Sequence, residues 1–303
     1  MPQPPSPPQN EDSPRGLAFA VSAYLFWGIL PIYLKALSAI PPAEVVAHRI
    51  VWSVPVAGAL LWALGRTRDI AAALRSPRTL AMGCVTAGLI SINWGIYVWA
   101  ISTNRTLDAA LGYYINPLFS VFLGAVLLRE RLSRAQIGAL ALAVVAVVVV
   151  TVEAGSLPWA SIGLTFSWGL YAFFKKWLPI GPNQGFLLEV LILMWPALGY
   201  IIYLGITGES HFLSGAGSQS LLLVGSGLVT AVPLIVYANG AKLLRLSTIG
   251  ILQYIAPTLI FLTAVFVFGE PLGRARMIAF PLIWAALVLY TGSLLYQMRR
   301  VRP

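Results

Sequence analysis

The chain has 303 residues, of which 58% are hydrophobic and 10% charged, with a formal net charge of +10. Soluble domains run at about 45–50% apolar and about 25% charged residues, so this composition cannot cover a soluble surface with polar atoms. It excludes a cytosolic enzyme, an acidic or disordered chain and a secreted disulfide scaffold. The one cysteine, Cys84, excludes intramolecular disulfides and thiolate cages, and two histidines, His48 and His211, exclude most His-rich metal sites.

In chain order, residues 1–15 are Pro-rich and polar and read as a disordered cytoplasmic tail. They lack the charged start and cleavage site of a signal peptide. Ten apolar segments follow, each near the roughly 20 residues that a spanning helix needs. They run over 17–37, 42–64, 78–100, 107–128, 135–153, 158–177, 184–204, 219–240, 248–268 and 276–296. Helix punctuation marks several starts. Ser76-Pro77 sets an N-cap before proline at the first helical position, and Ser133 with Gln136 fits a capping box. Pro41-Pro42, Leu157-Pro158 and Gly181-Pro182 also mark starts. No joint is long enough for a soluble domain.

Ten crossings place fifteen of the twenty Lys and Arg on the side of the N-terminus. Lys35, Arg105, Arg274 and Arg276 fall on the other side, and Arg49 lies within a span. This bias puts both termini in the cytoplasm, at the inner membrane of the cell. Orientation therefore accounts for the positive charge, and no nucleic-acid partner is expected.

The two halves of the chain resemble each other. An offset of 140 residues aligns Tyr114-Ile115-Asn116-Pro117 with Tyr254-Ile255-Ala256-Pro257, Tyr97 with Tyr237, and Glu130 with Glu270. Trp27 aligns with Trp168 and Lys35 with Lys176 at 141, and Glu44 with Glu189 at 145. The expected units are therefore 16–155 and 156–298. Five helices is an odd number, so the second unit enters the membrane from the opposite side. The expected fold is all-α integral membrane: ten transmembrane helices as two inverted five-helix repeats. Such repeats characterise secondary transporters, which bind solute near mid-membrane between the halves.

Several stretches carry a family resemblance over about residues 16–296. They are Trp27–Lys35, Glu44–Ser53, Asn93–Ala100, Leu111–Pro117, Arg129–Leu132, Gln253–Pro257 and Phe268–Leu272. In these the chain resembles the EamA-type transporters of the drug/metabolite transporter superfamily, in their RarD branch. The resemblance implies ten helices in two inverted repeats and export of small metabolites or drugs. The RarD branch is linked by name to chloramphenicol sensitivity, and the resemblance supplies no ligand.

Charged residues within spans are costly and usually face the interior of the bundle. Glu44 and His48 share one face of the second span, at i and i+4. Arg49 sits seven residues in, roughly 10 Å deep at 1.5 Å per residue. It either touches the transport path or snorkels to the interface while Glu44 caps the helix start. His48 is the candidate for proton coupling. Lys35 with Glu44, and Lys176 with Glu189, are expected as matching charge pairs. Each closes a gate or forms a structural joint.

Tyr113, Tyr114, Asn116 and Pro117 in the fourth span, echoed by Gln253, Tyr254 and Pro257 in the ninth, are candidates for cavity lining. Proline removes a backbone donor, kinks its helix and frees a carbonyl there; Pro117 and Pro257 are accordingly gating candidates. Asn93 and Tyr97 share a face of the third span, beside Trp94 and Trp99. Tyr24, Trp27, Trp168, Tyr171 and Tyr237 add aromatic faces suited to small amphipathic solutes. Helix packing is the competing reading for these aromatics. Asn239 is a candidate cross-helix bond. Glu130 and Glu270 are expected in salt bridges at the joints. Gly83, Ala87, Gly124, Gly138 and Ala139 are read as packing positions.

The function expected is a secondary transporter exporting a small metabolite or drug-like solute, with protons as the candidate coupling ion. The alternatives are a channel or scramblase, or a partner-dependent membrane protein. An enzyme is not expected, and neither is a cofactor or metal. The partners are a small-molecule substrate and the lipid bilayer, and the chain is a monomer or homodimer.

Overall fold

The computed structural model describes residues 13–127, 129, 132–213, 217–241, 243–244 and 246–300. The tail up to residue 12, Glu130, and Arg131, Lys242, Arg245 and Arg302 of the charge count lie outside them. The described residues are helical, without strands. Helices α1 (Pro14–Ala36), α2 (Pro42–Ala63), α4 (Pro77–Ser102), α5 (Thr106–Leu127), α6 (Arg134–Ala154), α7 (Trp159–Trp177), α8 (Pro182–Thr207) and α9 (Gly217–Ala241) match the first eight expected segments, with α3 (Thr67–Arg75) between α2 and α4. The ninth segment is divided into α10 (Leu246–Leu252), α11 (Ile255–Leu262) and a π-helical turn (Thr263–Val267), and α12 (Gly273–Arg300) is the tenth.

Among the described residues, nine helical segments are long and apolar enough to cross a membrane. The segment left out is α7, which carries Ser161, Thr165 and Ser167 and ends in Lys175 and Lys176. Large apolar side chains such as Trp62, Val144, Trp195, Ile206 and Val288 stand exposed along the helices. Surface this apolar belongs in a bilayer.

The punctuation works as its chemistry requires. Ser76 Oγ accepts from the Thr79 N–H, and Ser133 with Gln136 closes both arms of the capping box. Three elements differ from expectation. Pro14 and Arg15 form the first turn of α1 rather than tail, because Pro14 suits the first helical position and the Ser13 N–H donates to the Leu243 carbonyl. The joint after α2 holds α3, nine residues whose Ile70 and Ala73 are buried against neighbouring helices. The ninth span is discontinuous. Pro257 has no N–H to give to Gln253, and the chain turns at Gln253–Tyr254 just before α11. Its repeat counterpart Pro117 stays inside the unbroken α5.

The helices pack in a regular pattern. α1 lies against α9 and α11, while α7 lies against α4 and α5. α2 lies against α8 and α9, and α8 against α2 and α4. α6 and α12 pack on each other at the periphery. Close crossings depend on small residues. A Cβ on Gly227 would meet the Trp52 carbonyl carbon and oxygen at 2.3 Å, so α2 and α9 cross only because that position is glycine.

Candidate functional site

A central cavity of about 150 Å³ opens between the helices. That is on the order of the volume that accepts a benzene-sized body. Helical spacing puts its lining together. Tyr24, Trp27 and Leu30 recur at three-residue steps on α1, and Asn93, Trp94 and Tyr97 come from one turn of α4. α2 contributes Arg49, α5 contributes Tyr113 and Asn116, and α7 contributes Trp168. Thr230 and Tyr237 line it from α9, and Gln253 and Pro257 from the turn between α10 and α11.

Two aromatic groups face the space. Tyr24, Trp27 and Tyr237 meet with ring centroids 5.4–5.6 Å apart. Tyr97 lies edge-on to Tyr113 at 5.5 Å, and Tyr113 stands perpendicular to Trp168 at 6.3 Å. Such T-shaped contacts each add about 0.5–1.5 kcal/mol beyond area burial.

Polar atoms between these groups fall into two kinds. Asn93 is fully engaged: its Nδ2 donates to Ser167 Oγ at 3.0 Å and to the Leu164 carbonyl at 3.3 Å, and its Oδ1 accepts from the Tyr113 hydroxyl at 3.1 Å. It ties α4 to α7 and α5. Arg49 is only partly engaged. Its Nε donates to Thr230 Oγ1 at 3.0 Å, and its guanidinium lies 5.2 Å from the Trp94 ring centroid. Its Nη1 is buried without a partner, as are the Tyr97 hydroxyl and both amide atoms of Asn116. All three residues line the cavity. Arg49 is 3% exposed, and among the described residues no salt bridge includes it.

The lining thus gathers Tyr24, Trp27, Arg49, Asn93, Tyr97, Asn116, Trp168, Tyr237, Gln253 and Pro257 from the sequence candidates. Others sit elsewhere. Glu44 is fully buried, and its two carboxylate oxygens take the His211 N–H and Nδ1, each at 2.8 Å. His48 accepts from Trp52 Nε1 at 3.2 Å and packs against Phe212, outside the cavity lining. The Tyr114 hydroxyl meets Thr258 Oγ1 at 2.7 Å, bracing α5 on α11. Tyr171 donates to Glu189 at 3.1 Å, and Tyr254 sits at the α10–α11 break. Thr230 escaped the sequence reading. A lone hydroxyl in an apolar run gives little signal, although Thr230 stands two turns before Tyr237 on the same face.

The expected charge pairs are corrected. Lys35 donates to Asn104 Oδ1 and to the Ile101 carbonyl instead of Glu44. The C-terminal carbonyls of α4 attract a cation there. Glu189 pairs with Lys175 at 2.6 Å, and Lys176 is exposed. Tyr171 and Lys175 are i and i+4 and face α8 together; Lys176 lies a third of a turn away. Among the described residues no salt bridge includes Glu270. Its oxygens accept the N–H groups of Thr106 and Leu107 at 2.8 and 2.9 Å, because the first turn of α5 presents unpaired donors. Asn239 bonds the Ile235 carbonyl within its own helix.

Several of these contacts join the ends of helices. Glu44–His211 ties the start of α2 to the joint after α8, Glu270 ties the joint before α12 to the start of α5, and Arg276 pairs with Asp108 at 2.8 Å between the starts of α12 and α5.

Known proteins match over most of the chain. The pattern of the EamA-like transporter family matches residues 14–152. Protein RarD of Streptomyces exfoliatus is 42% identical across 95% of this chain and 91% of that protein. An uncharacterized transporter of Vibrio cholerae is 41% identical across 94% of each. One crystal structure aligns over 97% of this chain and 99% of its own at a TM-score of 0.61 and 24% identity, a likeness of fold alone.

Proposed function

The chain belongs to the EamA-like transporter family, in its RarD branch, and from that premise we propose that it is a secondary transporter exporting a small organic solute. In this reading ten helices span the cell membrane, α10, α11 and the π-turn together forming the ninth crossing. Residues 16–155 and 156–298 form two inverted repeats, with both termini cytoplasmic.

The packing supports the repeat. Matching α1 to α7, α2 to α8, α4 to α9, α5 to α10–α11 and α6 to α12 turns the contacts of α1 with α9 and α11 into those of α7 with α4 and α5. Repeat-related pairs also face one space, Trp27 with Trp168 and Tyr97 with Tyr237. One observation carries the functional reading above the others: a cavity walled by helices of both halves holds buried polar atoms that the protein leaves unpaired. Buried polar groups are normally paired, and unpaired ones concentrated in a concave site await a ligand.

The sequence contains no G-x-x-x-x-G-K-[ST] nucleotide loop. A solute or proton gradient therefore drives the cycle. Glu44–His211, the Glu270 cap and Asp108–Arg276 close the outer end of the cavity, and parting them opens it.

Reconstitution tests this. Liposomes holding only this protein are loaded with amino acids, organic acids, neutral aromatics and chloramphenicol under an imposed pH gradient, and efflux is read by mass spectrometry. Selective efflux that saturates with internal concentration is expected. Efflux that rises linearly for every small solute indicates a channel. Absence of efflux across the panel from folded, oriented protein contradicts the reading.

A further inference from the structure

Among the described residues that line the cavity, Arg49 is the charged one and none is acidic. A guanidinium cannot shed its charge to relieve burial, and a buried charge with no counter-ion is costly. Thr230 takes only the Nε proton, and Trp94 offers a ring face. Nη1 keeps an unused donor, and the Tyr97 hydroxyl, also unpaired, lines the same cavity.

The charge is not part of the repeat's architecture. The offset that aligns Glu44 with Glu189 places Met194 opposite Arg49 and Leu193 opposite His48. The second half thus builds its corresponding helix with apolar residues at those positions. Arg49 is added to one half, at the site where both halves meet.

We propose that the cavity selects a small organic monoanion, a carboxylate on an aromatic or branched apolar body. The carboxylate takes Arg49 Nη1 and the Tyr97 hydroxyl, and the body lies among the faces of Trp27, Trp168 and Tyr237. Asn116, with both amide atoms free, reads a further polar substituent. A single guanidinium balances one negative charge; a phosphate dianion would leave a second charge buried and unpaired. An organic cation would meet a like charge with no carboxylate to offset it. The inference rests on the transport reading of this cavity and adds the charge of its solute.

The test is equilibrium dialysis of three probes of matched shape against the protein in nanodiscs: benzoate, benzamide and benzylammonium. Benzoate is expected to bind about tenfold or more tightly than benzamide, with benzylammonium weakest, the margin set by a charge-assisted bond. Arg49→Met is expected to abolish the preference and Arg49→Lys to keep part of it. Equal binding of benzoate and benzamide, binding of none of the three, or a benzoate preference that survives Arg49→Met overturns the proposal. If Arg49→Met does not fold, the probe series on the unaltered protein decides alone. Selective benzoate binding without flux in proteoliposomes upholds the anion site and removes the transport reading. Saturable flux of neutral solutes with no benzoate preference does the reverse.

Discussion

Replacing Arg49 with alanine is expected to lower the specificity constant for solute exchange by about one to two orders of magnitude, the range of a lost charge-assisted hydrogen bond of about 1.5–3 kcal/mol. Stability should move far less. The substitution removes the bond to Thr230 and the contact with Trp94, which stabilise the fold. It also removes a buried guanidinium whose Nη1 has no partner, which costs the fold. The two effects oppose each other. Solute exchange and thermal unfolding, measured on the same preparation, separate a role in binding from a role in packing. Exchange at the unaltered rate would contradict the account, and so would a loss of activity matched by a loss of fold.

The second large effect is expected at Glu270, one of the contacts proposed to close the outer end of the cavity. Glu270 is 5% exposed, and its carboxylate accepts two backbone N–H groups across the halves. It also lies at the positive end of the α5 dipole. Glu270→Ala leaves both donors buried without partners and should cost about 2–4 kcal/mol of the closed arrangement. Asp108–Arg276 remains nearby and bears part of the load. A single cysteine at Ala110, which is fully buried one turn into α5, reports the opening in a Cys84→Ala background. Faster labelling of that cysteine from outside and a lower unfolding temperature are expected. Labelling and stability unchanged by Glu270→Ala would show that the cap does not hold this end shut.

Much of the helical framework was legible because membrane helices are written in long apolar runs with polar caps. Ser76, Ser133 and the prolines at helix starts act as local chemistry dictates, and hydropathy placed the boundaries within a few residues. α3 escaped because nine amphipathic residues in a polar joint resemble a loop. Pro117 and Pro257 read alike in the sequence, each as a kink in a continuous span; the chain breaks only before Pro257, since neighbouring packing decides whether a proline parts its helix.

The site was legible where a single helix brings residues together, as with Asn93 and Tyr97. It was not legible where the fold joins distant segments. Glu44 and His211 are 167 residues apart, and no local pattern links them. Lys175 and Lys176 differ by one position in sequence and by about 100° around the helix. The sequence reading named Lys176 alone, and packing against α8 uses Lys175 instead.

In the proposed cycle one cavity, lined by both halves, opens to each side of the membrane in turn. Accessibility of a single cysteine at Asn116, in a Cys84→Ala background, tests it most directly. Membrane-impermeant thiol reagents are applied from the outside or the inside of oriented vesicles. The account predicts slow labelling from outside in the unaltered closed end, faster outside labelling when Glu270→Ala is added, and slower labelling from inside in the same variant. Labelling that rises from both sides together would describe a continuous pore, and a cysteine labelled from neither side would leave the cavity without a path.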